Sequence, residues 1–300
     1  MMIGVDIGFG FTKAFPGNVV FSSVFSEQGK RQFKLQGAEL DNLELELDGK
    51  NYFVGRLAEL EGGTGTFDRD NIIRHKVCLL TAIVLSAKDS YTGPIVLGLP
   101  VSDFHRKDQM QQLKGTYNIK LNGDQYQIEI TEVMVFPQGG AAYFDMLLSD
   151  DGKVVSTIAD QRIGIIDIGE KTLDFVMMDK MRYVNERTNS MDTGMHKAYL
   201  RLLPVIQQEL GISCLPHQIR DYLHKLPRQT EAEYRRLANE IVDNLSTWWQ
   251  FKDFDKIFIG GGGGILLHKY IRERINCDLV PDSQIANARG YLKCGTATKS

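Results

Sequence analysis

Cysteine is scarce in this sequence of 300 residues, and the few cysteines show no pattern. Cys78, Cys214, Cys277 and Cys294 form no C-x-x-C pair, and none has a histidine nearby at the spacing of a zinc site. The six histidines likewise show no metal spacing. We therefore expect reduced, mostly buried thiols and no zinc site.

Long apolar runs and an excess of one charge are also missing. No window approaches about 18 uncharged apolar residues, and the N-terminus, "MMIGVDIGFGFTKAF", lacks a basic segment followed by a long apolar stretch. The 35 basic and 38 acidic side chains give a formal net charge of −3, which marks no surface as a binder of nucleic acid or bilayer. We expect a soluble, cytoplasmic protein with no membrane partner and no direct DNA binding.

Three familiar motifs of nucleotide binding and catalysis are absent. No stretch matches G-x-x-x-x-G-K-[ST], neither glycine-rich stretch completes G-x-G-x-x-G, and no G-x-S-x-G occurs. Interpretations as a P-loop protein, a dinucleotide-binding protein or a serine hydrolase are therefore weak.

Apolar strands and amphipathic helices alternate along the chain. Asp48-Gly49 and Asn122-Gly123 predict hairpins, and residues 72–88 carry apolar side chains at helical spacing. After about Gly194 the pattern predicts a helix, a polar helical stretch in "QIRDYLHKL", a long amphipathic helix through "EAEYRRLANEIVDNLSTWWQF", and then a strand, a glycine run and another helix. This alternation indicates α/β architecture, and the length allows two lobes.

Two predicted strands, "MIGVDIG" and "RIGIIDIG", end in the same D-x-G pattern. Asp6-Ile7-Gly8 and Asp167-Ile168-Gly169 are interpreted as equivalent points of a duplicated fold. Asp167 interrupts a run of isoleucines that predicts a buried strand, where a carboxylate is costly without a partner. The alternatives are an ordinary β-hairpin and a chance match, because D-x-G specifies only two residues.

The residues after each aspartate favour contact with phosphate, because glycine lets a ligand approach the backbone closely. The candidates are Gly8, Gly10 and Lys13 in the first turn and Gly169 and Thr172 in the second. Asp6 and Asp167 could converge on Mg²⁺ through its bound waters. Two neighbouring acids are not interpreted as ligands: Glu170 is expected to be a solvated turn residue, and Asp174 a residue on a strand face.

Five consecutive glycines, Gly260 to Gly264, lie between two short apolar segments. Ordering them costs backbone entropy, and no turn type needs five. The pattern predicts a packed strand-to-helix junction at which a nucleotide base or ribose passes close to the backbone, with phosphates near the helix N-terminus. The alternative is a flexible surface loop.

Taken in order, these motifs resemble a known superfamily. The D-x-G-x-x-x-x-K turn, a strand leading to "FPQGGAA", the D-x-G-x-x-T-x-D turn, "FIGGGGG" and "IANARGYLKCG" follow the order found in actin, heat-shock chaperone and sugar-kinase ATPases. Within that superfamily, "MDTGMHKAYLRL" and "ANARGYLKCG" are similar to the ParM/StbA group of bacterial actin-like plasmid-segregation ATPases. The resemblance runs from Asp6 to Gly295.

The resemblance implies a role for each matching residue. Asp6 and Asp167 would be catalytic residues that hold Mg²⁺ through water, and Gln138 in "FPQGG" would orient the attacking water. The phosphates would lie along Gly8, Gly10, Thr12, Lys13, Gly169 and Thr172, the ribose beside Asp192, Thr193 and Gly194, and the adenosine along Gly260, Gly261, Gly262 and Gly263. Glu170 and Lys171 depart from the small residues often seen in the second turn.

The same resemblance implies an α/β, actin-like fold with two ribonuclease H-like lobes. Lobe I would comprise residues 1–155 and 283–300, lobe II residues 156–282, and ATP or GTP with Mg²⁺ would bind in the cleft between them. The implied activity is phosphoryl transfer to water, coupled to self-assembly into dynamic filaments. The implied partner is a DNA-bound adaptor of the ParR type, through which the filaments segregate plasmid DNA. The alternatives on this fold are a small-molecule kinase and a chaperone or reactivase-type ATPase.

Overall fold

The structure, a computed structural model, describes residues 1–28, 42–61 and 72–299. Within these residues the chain forms two β-sheets with α-helices packed against them. The α/β architecture predicted from the alternating pattern is therefore confirmed.

The first sheet contains nine strands from the first half of the chain. They are β1 (Ile3–Ile7), β2 (Phe11–Phe15), β3 (Val19–Ser22), β4 (Phe25–Gln28), β5 (Leu43–Leu47), β6 (Lys50–Val54), β7 (Tyr91–Leu99), β8 (Gly115–Leu121) and β9 (Asp124–Pro137). Their order is β3-β2-β1-β7-β9-β8-β5-β6-β4, and β7 runs parallel to both β1 and β9. The predicted hairpins at Asp48-Gly49 and Asn122-Gly123 are confirmed as the β5–β6 and β8–β9 turns, in which all four residues have positive φ.

The second sheet is smaller and comes from the second half of the chain. Its strands are β10 (Arg162–Ile168), β11 (Leu173–Asp179), β12 (Arg182–Tyr183), β13 (Asn189–Met191), β14 (Lys256–Gly260) and β15 (Asp278–Leu279). The order is β12-β11-β10-β14-β15, with β13 paired to β11. β14 runs parallel to both β10 and β15, as expected where helices connect neighbouring strands.

Seven α-helices occur within the described residues. They are α1 (Arg56–Leu60), α2 (Ile72–Ala87), α3 (Gly140–Leu147), α4 (Met195–Leu210), α5 (Pro227–Ser246), α6 (Gly261–Ile271) and α7 (Ala286–Lys299). In the described part of the chain, no helix has both the length and the apolarity needed to cross a bilayer. The helix predicted for residues 72–88 is confirmed as α2.

Two helical predictions in the second half need correction. The stretch "QIRDYLHKL" forms two short 3-10 helices, Pro216–Asp221 and Leu223–Lys225, rather than one polar helix. The long amphipathic helix begins earlier than its apolar pattern, at Pro227, because proline suits the first turn, where its missing N–H would be unpaired. It ends at Ser246, before the two tryptophans.

The hairpins that begin the two sheets are equivalent in register. Asp6 lies opposite Lys13 in β1–β2, and Asp167 lies opposite Asp174 in β10–β11. On the other side of each first strand lies a parallel neighbour, β7 or β14. The two D-x-G turns therefore occupy the same place in the two halves, and the duplicated fold is confirmed.

Each sheet has its own apolar core. One core lies between the first sheet and α2, and another between the second sheet and helices α4, α5 and α6. A third cluster joins the second sheet to α3. The last helix, α7, packs against α3 and against β1 and β7 of the first sheet, although it follows the second sheet in sequence. The lobe boundaries at 155/156 and 282/283 stay a prediction.

Candidate functional site

A cavity of about 340 Å³ lies between the ends of β1 and β10, a volume within the usual range of small-molecule sites. Both halves of the chain line it. Its lining includes Gly8, Phe9, Gly10, Phe11, Lys13, Gln138, Asp167, Gly169, Glu170, Thr172, Asp174, Arg220, Gly261, Gly262, Gly263 and Asn287. Most of the site residues predicted from the sequence are thus brought together at one place.

The first turn is held from within and from α2. The backbone N–H of Gly8 donates to the carbonyl of Phe11 at 3.0 Å, which closes the turn. The buried guanidinium of Arg74 donates through Nη2 to the Gly8 carbonyl at 2.6 Å. Burial lowers the pKa of Arg74, but a guanidinium stays charged throughout the physiological range. The turn is therefore fixed, with a cation behind it.

Lys13 and Asp6 form the charged pair of the first hairpin. Lys13 Nζ donates to Asp6 Oδ2 at 2.8 Å, and the Asp6 side chain is only 2% exposed. Burial lowers the pKa of Lys13, but the adjacent Asp6 carboxylate more than offsets this, so the pKa is raised overall. Lys13 lines the cavity as a fixed ammonium, and Asp6 lies directly behind it, outside the lining.

The second turn repeats this geometry with a different pair of side chains. The Gly169 N–H donates to the Thr172 carbonyl at 2.9 Å, as in the first turn. Asp174 stands where Lys13 stands in the first hairpin and accepts hydrogen bonds from Thr172 Oγ1 at 3.2 Å and Ser190 Oγ at 2.5 Å. Asp174 also lines the cavity, so its interpretation as merely a strand-face residue is incomplete.

Asp167 is a buried carboxylate with one direct partner among the described side chains. Asn287 Nδ2 on α7 donates to Asp167 Oδ2 at 2.7 Å. Burial raises the pKa of Asp167, the Asn287 hydrogen bond and the nearby Lys13 ammonium oppose that rise, and the Asp6 charge adds to it. A cation in the cavity would relieve this buried negative charge.

The donor set fits a cation that keeps most of its waters. Within the described ranges, no cluster of three or more His, Cys, Asp or Glu side chains could enclose a metal ion. Asp6, Asp167 and Asp174 nevertheless bring three buried carboxylates to this region, with the ammonium of Lys13 beside them. Mg²⁺ is typically held by one or two carboxylates together with waters and substrate phosphates, so these residues fit it.

The glycine run forms the start of α6 rather than a loop. Gly261 has φ +77°, and a Cβ there would lie 2.3 Å from Asp167 Oδ1 and 2.4 Å from the Ile168 carbonyl oxygen. A Cβ on Gly262 would meet nothing within 4 Å, and Gly262 lines the cavity. Close packing against the end of β10 therefore explains one glycine, and an open path to the cavity explains the next.

Glu170 is not a solvated turn residue, and that interpretation is wrong. Its side chain is only 10% exposed and lies 3.9 Å from Arg220 Nη1. A Cβ on Gly10 would lie 2.8 Å from the Glu170 Cβ, so the two turns pack against each other. Burial raises the pKa of Glu170, and the Arg220 charge partly opposes the rise.

Arg220 joins the two halves at one side of the cavity. Its guanidinium lies 4.5 Å from the centre of the Phe11 ring and 3.6 Å from Glu59 Oε1. Beside it, Arg56 Nη2 lies 2.9 Å from Asp221 Oδ2. Phe11, Glu59 and Arg56 belong to the first half of the chain, so these contacts hold the cleft together on this side.

Gln138 lies where β9 ends and α3 is about to begin, and it lines the cavity. Its backbone N–H donates to the Leu99 carbonyl at 2.6 Å, which fixes the start of the turn. Thr12 is directed elsewhere, because its hydroxyl shares a 2.8 Å hydrogen bond with Ser23 Oγ.

The predicted ribose segment is not part of the cavity lining. Asp192 is exposed, and Thr193 Oγ1 accepts a hydrogen bond from Lys197 Nζ at 2.9 Å. Gly194 packs against the second turn, where a Cβ would lie 2.5 Å from the Glu170 carbonyl oxygen. The predicted site residues outside the lining are Asp6, Thr12, Asp192, Thr193, Gly194 and Gly260.

The cavity residues that were not predicted as site residues include Arg74, Glu170, Asp174, Arg220 and Asn287. One signal was available, since Asp174 follows Asp167 by the same spacing that separates Lys13 from Asp6. Arg74 and Arg220 come from distant elements. Glu170 occupies a position that the motif of the second turn leaves open, and Asn287 lies in "IANARGYLKCG", to which no site role was assigned.

Two segments of the chain match known protein families. The sequence matches the family "Actin like proteins N terminal domain" over residues 4–140 and the family "Archaeal actin homologue MreB-like, C-terminal" over residues 165–273. No curated protein sequence matches the chain.

Solved structures similar to this one include filament-forming proteins. The chain superposes on the 15-stranded ParM filament from Clostridium botulinum with a TM-score of 0.81 and 26% identity, over 98% of both chains. It superposes on a non-polymerisable quadruple mutant of pCBH ParM with a TM-score of 0.80 and 24% identity, over 98% of both chains. For the ADP complex of the archaeal actin homolog Ta0583, the TM-score is 0.74 at 20% identity, over 100% of this chain and 99% of that one.

Both halves of the chain match actin-like families, and the whole fold follows that of ParM structures. The predicted actin-like fold is thereby confirmed. By its matched families and its fold, the chain is similar to the actin-like proteins of the ParM type.

Proposed function

We propose that this protein binds ATP or GTP with Mg²⁺ in the cleft, hydrolyses the nucleotide, and forms filaments under nucleotide control. The observation that carries the proposal is the pair of equivalent turns, closed by Gly8 and Gly169, that both line one cavity beside Asp167. Duplicated turns of this kind suit a ligand with several phosphates, because each half can hold part of the phosphate chain.

The chain's own residues divide the work of phosphoryl transfer. Lys13, fixed by Asp6, is placed to bind the β- and γ-phosphates. Gln138 would orient the attacking water through its amide, and because an amide is not a strong base, we expect slow hydrolysis. Asp6 and Asp167 would hold Mg²⁺ through its waters. Bound Mg²⁺ would neutralise the negative charge of the phosphates.

The remaining nucleotide contacts are assigned to α6 and to the segment before α4. The N-terminus of α6 presents Gly262 and Gly263 to the cavity, where a sugar or base can pass close to the backbone. The proposed ribose segment remains Asp192, Thr193 and Gly194. Because these residues do not line the cavity, they would contact the ribose only at the cavity's rim.

The proposed cellular role is plasmid segregation by filaments of this protein in the cytoplasm. Similarity to ParM filament structures supports self-assembly. The formal net charge of −3 suits a filament that reaches DNA through a DNA-bound adaptor of the ParR type rather than by direct contact.

The test combines light scattering, sedimentation and phosphate release with ATP, GTP and ADP in the presence of Mg²⁺. We expect polymer with at least one triphosphate, followed by phosphate release and loss of scattering. Asp167→Asn, which keeps the side-chain shape, should abolish hydrolysis. The proposal would be wrong if no polymer formed with either triphosphate over a broad protein concentration range, or if Asp167→Asn hydrolysed at a near-normal rate.

A further inference from the structure

The side-chain amide of Asn287 makes a hydrogen bond to a described residue through its nitrogen but not through its oxygen. Its Nδ2 donates to Asp167 Oδ2 at 2.7 Å, while no described residue bonds to its Oδ1, which is buried. The orientation of the amide follows from chemistry, since an ionised carboxylate only accepts hydrogen bonds and must face the amide nitrogen. Asn287 is 6% exposed and lines the cavity.

A buried acceptor without a donor is costly, and structures rarely keep one unless water or a ligand satisfies it. The Asn287 Oδ1 atom shares its amide with the nitrogen that holds Asp167. A water bound to a cation is a strong hydrogen-bond donor because the cation polarises it. Such a water beside Asp167 would satisfy the Asn287 oxygen.

The position of Asn287 is set by the helix that carries it. Near the start of α7, the Ala288 carbonyl oxygen would lie 2.1 Å from a Cβ on Gly4 of β1, and Gly290 would clash in the same way with the Ala141 carbonyl of α3. These close approaches pin α7 to the first sheet and to α3. Asn287 therefore reaches Asp167 of the second sheet from a helix packed on the first.

We infer that Asn287 is a positioning and binding residue of the Mg²⁺–nucleotide site: Nδ2 orients Asp167, and Oδ1 accepts a hydrogen bond from a metal-bound water. This inference rests on the proposed function. It also links Asp167 of the second sheet to α7, the helix that packs on the first sheet.

The test is the affinity for ADP, measured by isothermal titration calorimetry on the full chain in excess Mg²⁺ and again in EDTA. For Asn287→Ala we expect binding in Mg²⁺ to weaken roughly tenfold or more, the usual effect of losing such a partner, and binding in EDTA to change little. Thr296→Val, which removes a hydroxyl bonded to the Leu292 carbonyl farther along α7, is the matched control and should bind as the unchanged protein does in both conditions.

A second variant tests the inference if Asn287→Ala fails to fold. Asn287→Asp keeps the size but places a carboxylate beside Asp167, so ADP should bind more weakly in EDTA than with the unchanged protein, and Mg²⁺ should restore much of the affinity. Equal losses with and without Mg²⁺ in both variants, or no loss, would overturn the inference while leaving the proposed function intact. Failure of the unchanged protein to bind ADP in Mg²⁺ would instead overturn both.

Discussion

Gly261 and Gly262 are neighbours in the first turn of α6 that lack side chains for opposite reasons. Gly261→Ala would force a Cβ against Asp167 and Ile168 at positive φ, and we expect it to cost at least about 2 kcal/mol of unfolding free energy. Gly262→Ala has open space, and alanine favours helix, so stability should stay the same or rise by up to about 1 kcal/mol. Urea unfolding measures both.

Gly262→Ala, which should not lower stability, should instead lower the affinity for nucleotide. If a ligand passes against Gly262, its methyl group in Gly262→Ala should weaken ADP binding by about tenfold or more without loss of fold. ADP binding by folded Gly262→Ala equal to that of the unchanged protein would mean that the ligand does not approach this glycine.

Gln138→Ala tests the assignment of the attacking water. Removing the amide that orients the water should reduce the hydrolysis rate by about tenfold or more, while nucleotide affinity stays close to normal. Filaments should then form with triphosphate and disassemble slowly. Single-turnover phosphate release measures the chemical step, and Gln125→Ala, at an exposed hairpin position, is the control. A parallel loss of affinity and rate would show that Gln138 binds ligand rather than orienting water.

At the residue scale, the sequence reveals carboxylates in apolar strands but not side chains that meet across the cleft. Asp167 was predictable because a charge within a run of isoleucines needs a partner. Glu170 was misinterpreted because its burial depends on Gly10, more than 150 positions away in the chain. Asn287 lies in "IANARGYLKCG", but its contact with Asp167 depends on how α7 packs, which that segment does not reveal.

At the scale of elements, the 3-10 helix Pro216–Asp221 contacts the first half of the chain through Arg220. Arg220→Ala would remove the contact with the Phe11 ring and the ion pairs with Glu59 and Glu170. Each such partly exposed contact contributes about 1 kcal/mol or less, so the fold should persist while the cleft opens more readily. We expect ADP to dissociate about fivefold faster in stopped-flow displacement, by the usual conversion of about 1 kcal/mol into rate.

The control for this variant is Arg235→Ala. Arg235 pairs with Glu273 on the exposed surface of the second half and lies over the Tyr270 ring, so these contacts stay within the second half. An equal acceleration in Arg235→Ala, or none in Arg220→Ala, would show that the contacts at Arg220 do not restrain the cleft.

Helices α3 and α7 are joined by a buried ionic cluster. Arg289 donates through Nε and Nη2 to the two oxygens of Asp145 at 2.7 and 2.8 Å, and Lys293 Nζ lies 3.0 Å from Asp145 Oδ1. These hydrogen bonds raise the pKa of Arg289. Asp145→Asn would leave two cations facing an uncharged amide, and we expect a loss of about 3 kcal/mol in urea unfolding.

Asp282→Asn is the matched control, because Asp282 pairs with the same Arg289 but is 72% exposed. It should change the unfolding free energy by less than about 1 kcal/mol. Similar losses in the two variants would contradict the view that burial gives the Asp145 cluster its strength.

The secondary-structure elements were predictable where a local sequence signal, such as a turn dipeptide or a helical periodicity, determines them. The hairpins at Asn122-Gly123 and Asp48-Gly49 carry their turn residues locally, and the periodicity of α2 is clear. The start of α6 was harder, because glycine is a poor helix former and tertiary packing against β10 overrides that preference. The 3-10 helices from Pro216 onward could not be distinguished from an α-helix, because their sequence shows no clear periodicity of its own.

At the scale of the whole molecule, two apolar cores share one cavity whose lining comes from both. A ligand bound there contacts both halves and stabilises the arrangement in which the turns face each other. Ligand at about 100 times its Kd contributes about 2.7 kcal/mol. With an unfolding entropy of about 2.1 cal/mol/K per residue, a chain of 300 residues should gain about 4 °C in Tm.

Differential scanning calorimetry measures this shift and how the two cores share it. With ADP and Mg²⁺ we expect one transition, raised by about 4 °C, because unfolding of either core destroys the site and releases the ligand. With ADP in EDTA the shift should be smaller at equal ADP concentration, since Asp6 and Asp167 then repel the phosphates without a cation between them. A ligand-dependent split into two transitions, with only one of them raised, would show that the ligand is held by one half alone, and the cleft would then not couple nucleotide to the relative placement of the halves.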